Sequence, residues 1–180
     1  VHTHVFPTND VFSASFIEQA SRAKKEKFDL VTRYDDYRAT AEGCAAAICF
    51  GGKAHLSGLW VADQAVADYV AQDPARLIGF LSLDPTQAGW QEELHFGHQE
   101  LGLKGIKLMP MYAGFFPQDA TLDPLWHYAQ RHELPVLLHT GTPFVSQATL
   151  ETTLPRHLDE VARRFPDVKI IMAHLGHPYE

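Results

Sequence analysis

The chain has 180 residues, 46% of them hydrophobic and 21% charged, with a formal net charge of −7. This is ordinary globular composition with apolar material for one sizeable core. The acidic balance, with no basic run longer than "RAKKEK", argues against a nucleic-acid surface, and no apolar stretch is long enough to span a bilayer.

Cys44 and Cys49 are too few for a disulfide framework, and Cys49 reads as a small core residue, so a reducing, cytoplasmic setting is expected. The opening residues lack the basic leader of a signal peptide. The chain starts with "VHTHVF". As a strand, this puts His2 and His4 on one face and Thr3 and Val5 on the other. Two adjacent imidazoles repel when protonated, and a divalent ion shared between the neutral rings removes that conflict. Alone, the H-x-H pattern is a weak signal that chance or a tag remnant also produces. Residues 7–41 make a long connection with helices expected around 15–27 and 35–43. It carries Phe12, Phe16, Phe28, Tyr34 and Tyr37, and is expected to act as a lid or a helical cap.

From there the pattern alternates. Apolar runs at 45–50, 76–83, 103–109, 135–139 and 169–174 read as buried strands. Amphipathic helices are expected at 60–73, 89–102, 123–133 and 155–165, the third with Asp123 as N-cap and Pro124 as its first helical residue. "CFGGKAHLSG" lacks phosphate-loop spacing and reads as a flexible loop. With no G-x-G-x-x-G or Walker-type motif after any strand, a nucleotide-binding sheet lacks its usual loop. Six strands alternating with helices mean a parallel sheet, either doubly wound or closed as a barrel.

The chemistry-bearing residues stand at strand ends, where parallel barrels build their sites. His139 ends "LPVLLH", His174 ends "KIIMAH" with His177 just beyond, and Lys107 lies near the end of "GIKLM". Alternation groups His139 with Leu137, His174 with Met172 and Ile170, and Lys107 with Gly105. A single strand-end histidine is more often a packing residue; four gathered at strand ends in one chain are harder to dismiss. Lys107 reads as a substrate-carboxylate ligand or the partner of a buried acid ahead of a carbamylated metal bridge. His55 and His127 read as surface or loop residues. "MYAGFFPQD", with Tyr112, Phe115 and Phe116, is a candidate pocket wall.

Taken together, "VHTHVF", "DPARLIGFLSLDP", "LGLKGIKLMP", "LPVLLHTGTP" and "RFPDVKIIMAHLGHPY" resemble the amidohydrolase superfamily. The similarity is to its amidohydrolase-related branch, which includes aminocarboxymuconate-semialdehyde decarboxylase, resorcylate-type decarboxylases and pyrone-dicarboxylate lactonase. The resemblance implies an α/β fold, a (β/α)8 TIM barrel, of which this chain supplies about six βα units. It implies one catalytic divalent metal ion, zinc first, held by His2, His4 and His139. It places His174 beside the metal-bound water as general base or acid, with weak ligation as an alternative. Lys107, Tyr112 and Arg33 become candidate contacts for a small, carboxylated or cyclic substrate, although Arg33 also reads as a plain solvated charge.

The chain departs from the family pattern in two places. The aspartate ligand at the end of the eighth strand and the acidic residue before H-x-H have no counterpart here. Such barrels take about 250 residues, so the expectation is a fragment, or last strands supplied by a partner chain or swapped segment, with a homodimer among the options. Hydrolysis is the first reading of the activity and non-oxidative decarboxylation its sibling, since one ligand set serves both. A barrel phosphodiesterase or deoxyribonuclease also begins with H-x-H, but usually has a strand-end glutamate where this chain has Lys107. A truncated, inactive barrel that binds metal or a partner is the non-enzymatic reading.

Overall fold

The computed structural model describes residues 1–24, 29–41 and 43–177. Phe28, the end of the helix expected at 15–27 and Glu42 of that expected at 35–43 lie outside the described residues. The elements run in the order β1 (His2–His4), α1 (Ala14–Lys24), α2 (Tyr34–Thr40), β2 (Ala47–Phe50), β3 (Lys53–Ala54), β4 (Leu59–Trp60), α3 (Asp63–Val70), β5 (Leu77–Gly79) and β6 (Leu81–Leu83). They continue with α4 (Trp90–His95), β7 (Ile106–Leu108), α5 (Pro110–Ala113), α6 (Asp123–Arg131), β8 (Val136–Leu138), α7 (Arg156–Arg164) and β9 (Ile170–Met172).

The run expected as one strand at 76–83 turns a corner at Phe80. Before it, β5 pairs in parallel with β2; after it, β6 pairs in parallel with β7. The ladder does not break there, because the Phe80 N–H donates to the Cys49 carbonyl at 2.8 Å and the Lys104 N–H donates to that of Gly79 at 2.7 Å. The strands therefore follow one another as β1, β2, the bent β5–β6 strand, β7, β8 and β9, each parallel to the next. Gly105 is required opposite the corner: a Cβ there would lie 2.4 Å from Cζ of the Phe80 ring.

Two faces result. Outward, Ile106, Leu108, Val136 and Leu138 are buried against the helices in the main core. Inward, Phe50, Phe80, Leu137 and Ala173 form a separate cluster edged by Ile48. The side chain of Lys107 is buried beside it, with Nζ 4.6 Å from the centre of the Phe50 ring.

"CFGGKAHLSG" is not a flexible loop. It forms the antiparallel hairpin β3–β4, whose strands of two residues are too short to show a periodicity. Lys53 ties the hairpin to the helices: its Nζ donates to Asp63 at 2.7 Å and to Glu93 at 3.0 Å, and Asp63 also accepts the Ser82 N–H at 2.8 Å. A buried ammonium needs this pairing. The glycines answer to close approach rather than mobility, since a Cβ on Gly51 would lie 2.5 Å from Cβ of Val61.

Two further expectations shift. Asp123 is the first residue of α6 rather than its cap and pairs with Arg164, while Asp119 caps the preceding 3-10 turn by accepting the Thr121 N–H at 2.9 Å. The helix expected at 89–102 passes from α4 into a π-helical turn over Phe96–Glu100, where Gly97 packs against Leu81. Among the described residues, no helix is long and apolar enough to cross a membrane.

Candidate metal centre and its cavity

β1 pairs in register with β2, setting His2 opposite Ile48 and His4 opposite Phe50. Ile48 and Phe50 belong to the inner cluster, so both histidines face inward. The Phe50 ring is their common floor, with ring centres 5.4 Å from His2 and 4.6 Å from His4. His139 lies one residue past β8, on the same side as the inward Leu137.

His174 arrives by a different route from the one that alternation suggests. Its predicted companion Ile170 packs toward the outer core, so a regular strand would carry His174 outward too. Instead β9 ends at Met172, and His174 and Leu175 take left-handed backbone at φ 59° and 53°. That departure brings the His174 ring to 5.0 Å from His139 and 5.7 Å from His2. With His2 and His4 6.2 Å apart, the four rings form a continuous chain. Two imidazoles on one tetrahedral zinc, with Zn–N bonds of about 2.1 Å, have ring centres about 5 Å apart, so this spacing suits a shared ion.

The donor chemistry agrees. His4 Nδ1 is bonded to the Gly51 carbonyl at 3.3 Å, and the His139 ring to the backbone of Thr142. His139 Nε2 is buried with no hydrogen-bond partner among the described residues. One ring nitrogen anchored on a backbone carbonyl with the other left free is the usual support of a metal-ligating histidine. Burial, then the charge of Lys107, depresses His4 to about 3 and His139 to about 2. The same causes lower His2 and His174. All four are pushed toward the neutral, ligating form. Among the described residues, however, no group of three His, Cys, Asp or Glu side chains stands as a ready metal site. The rings are gathered and supported, but their donor nitrogens have not converged.

Above His4 and His139 opens a cavity of about 180 Å³, lined also by Phe6, Phe16, Lys24, Leu30, Leu59, Met109, Tyr112 and Phe144. Its walls are almost wholly apolar, and Tyr112 packs edge-on to His139 at 5.1 Å. α1 supplies Phe16, in a run of ring contacts from Phe6 through Phe12 to Phe144. The first part of 7–41 thus covers the cavity. Of the second part, Leu30 also lines it, but the tyrosines of α2 turn away: Tyr34 lies edge-on to Tyr69 of α3 and donates to Asp73 at 3.1 Å, with Tyr37 beside it.

The remaining candidates separate. Lys107 lies buried below the rings, where desolvation pulls its amine down to about 7. Arg33 is exposed beside Asp29 and Asp36 at 3.6 and 3.9 Å and is not among the cavity residues. Phe116 turns away to His157. Sequence reasoning overlooked Phe50, although its place opposite His4 follows from strand pairing, and Phe144, which no pattern marks.

The amidohydrolase family profile matches residues 1–180 from end to end. The chain belongs to the amidohydrolase family. An uncharacterized TIM-barrel protein from Bordetella bronchiseptica is similar in structure (TM-score 0.66, 20% identity), covering 99% of this chain and 69% of its own. So is 2,6-dihydroxybenzoate decarboxylase from Rhizobium, at TM-score 0.66 and 16% identity, covering 98% and 67%. A third is 5-carboxyvanillate decarboxylase from Novosphingobium aromaticivorans, solved with bound manganese, at TM-score 0.60 and 22% identity, covering 88% and 54%. No curated protein matches the chain. These likenesses establish the fold: the parallel strands of this chain are part of a TIM barrel, and the histidine cluster sits at the C-terminal ends of its strands, the face where such barrels carry their sites. The family is metal-dependent, and the neighbours include enzymes of more than one reaction type, decarboxylases and a hydratase.

Proposed function

We propose that this amidohydrolase is a metal-dependent hydrolase of a small, ring-shaped, carboxylated substrate. The observation that carries the reading is the unpartnered, buried Nε2 of His139 at the floor of the apolar cavity, within a chain of four imidazoles. His2, His4 and His139 would hold the ion, with zinc as the first expectation. When bound, a divalent cation supplies Lewis acidity and activates water near neutral pH.

The chain's own side chains do the rest. His4 and His139 are fixed by backbone carbonyls and kept neutral by burial, and so present lone pairs rather than charge. His174, exposed like His2 but not assigned to the ion, is the fourth ring of the group. It is the one free to accept a proton from the attacking water and return it to the leaving group. Phe6, Phe16, Tyr112 and Phe144 receive a flat ring and exclude water from it. Lys107, buried between Phe50 and the cluster, supplies the positive charge that favours a carboxylate over a neutral analogue.

A second reading, non-oxidative decarboxylation, is favoured by the apolar walls. An apolar cavity disfavours a localised carboxylate charge and so eases its loss as carbon dioxide; His174 would then return a proton to the ring carbon. The free thiols Cys44 and Cys49 suit a cytoplasmic setting, and a small molecule is the partner expected.

Incubating the zinc- or manganese-loaded protein with a panel of lactones, cyclic amides and hydroxybenzoic acids, followed by mass spectrometry, tests both. Gain of water supports the first reading and loss of carbon dioxide the second. No turnover of any panel member, with metal bound, opposes both.

A further inference from the structure

Three successive residues, His174, Leu175 and Gly176, have φ of 59°, 53° and 77°. Left-handed backbone is costly for residues with a Cβ and persists only where the surroundings enforce it. The turn is closed by the His177 N–H, which donates to the His174 carbonyl at 3.0 Å, and by one side-chain hydroxyl. Thr140, two residues past β8 and 1% exposed, donates through Oγ1 to the carbonyl of Ala173. The same oxygen accepts the N–H of Gly176 at 3.1 Å. One side chain therefore closes the turn on both sides of His174.

The seat of the turn is shaped to match. At Gly141 (φ 105°) a Cβ would lie 3.1 Å from the His177 carbonyl and 3.4 Å from Cβ of His174. Thr153 donates to the His139 carbonyl at 2.7 Å, holding the strand end that carries Thr140. The Thr140 hydroxyl has no hydrogen bond to either ring; it acts on the backbone that aims one of them.

We infer that Thr140 is the positioning residue that holds His174 against His139 and His2 by clamping the Ala173–Gly176 turn. The inference rests on the reading of His174 as the proton carrier, but its primary readout is the geometry and needs neither metal nor substrate.

The test compares Thr140→Val, which keeps the shape and removes the hydroxyl, with Thr140→Ser, which keeps the hydroxyl. In NMR spectra of the metal-free protein, cross-peaks between the His174 and His139 ring protons are expected in the wild type. They should vanish in Thr140→Val, with the Gly176 amide exchanging at least tenfold faster, and return in Thr140→Ser. A hydroxyl that merely stabilises the fold would leave the cross-peaks of the folded Val variant in place, and that result overturns the inference. Loss of the cross-peaks in folded Thr140→Ser overturns it as well, so the proposal stays testable if the Val variant does not fold. Once a substrate is in hand, kcat should fall about tenfold or more in Thr140→Val, with KM within about threefold of wild type. Failure of the substrate panel alone leaves the spectra decisive.

Discussion

Acid should destabilise the metal-free protein well before its carboxylates titrate. His4 and His139 have folded-state values near 3 and 2, against an ordinary value of 6.5. A lowered value means that the unfolded chain takes up protons which the folded chain refuses, so stability is fully present above about pH 6.5 and is lost as the pH falls toward the folded values. Below about pH 6.5 each such histidine costs about 1.4 kcal/mol per pH unit. Between about pH 7.5 and about pH 5, one site loses roughly 2 kcal/mol and the two together roughly 4 kcal/mol, a large part of the 5–15 kcal/mol that holds a domain together. His2 and His174, lowered by the same causes, act with the same sign. The lowered carboxylates, Asp29, Asp73, Asp119 and Glu151, act below their ordinary values near 4 and stay out of this window. Lys107, pulled down to about 7, exerts its effect mainly above that pH. Urea unfolding of the metal-free protein at the two pH values, followed by circular dichroism, measures the difference. His139→Asn should remove roughly 2 kcal/mol of the pH dependence, about half of what His4 and His139 contribute together. Equal stability at the two pH values would refute the account of the buried imidazoles.

Two other perturbations probe the support of the site. Gly51→Ala places a Cβ 2.5 Å from Val61 and must shift the carbonyl that holds His4 Nδ1; zinc affinity, read by competition with a chromogenic chelator, should weaken about 10–100-fold, and unchanged affinity in a folded variant would count against the anchor. Lys107→Met removes the charge that disfavours a cation among the four rings, so zinc should bind about tenfold tighter or more while a carboxylated ligand binds more weakly; a variant that binds zinc no better contradicts the electrostatic reading of Lys107.

The barrel strands could be read from the sequence because a strand covered on both faces must be apolar throughout, as "LPVLLH" is; "KIIMAH" carries the same apolar run, but β9 leaves Ile171 and Met172 exposed rather than buried as expected. Histidines at the ends of such runs stand out for the same reason, and the fold brings the His2, His4, His139 and His174 rings together. What could not be read is what depends on backbone geometry. The corner at Phe80, the hairpin of two-residue strands around Lys53, and the left-handed turn at His174 leave no periodic trace. Thr140 and Gly51, which aim His174 and anchor His4, look like any small strand-end residues until the chain is folded. The course of the long first connection is equally hidden: the sequence leaves Arg33 either a substrate contact or a solvated charge, and the structure leaves it in solvent.

Zinc titration by isothermal calorimetry on the chelator-stripped protein, with the His2→Ala, His4→Ala and His139→Ala variants alongside, tests the central claim most directly. The account expects about one ion per chain in the wild type and loss of that site in each variant. A protein that binds no zinc, or that binds it undiminished when His139 is replaced, would contradict it.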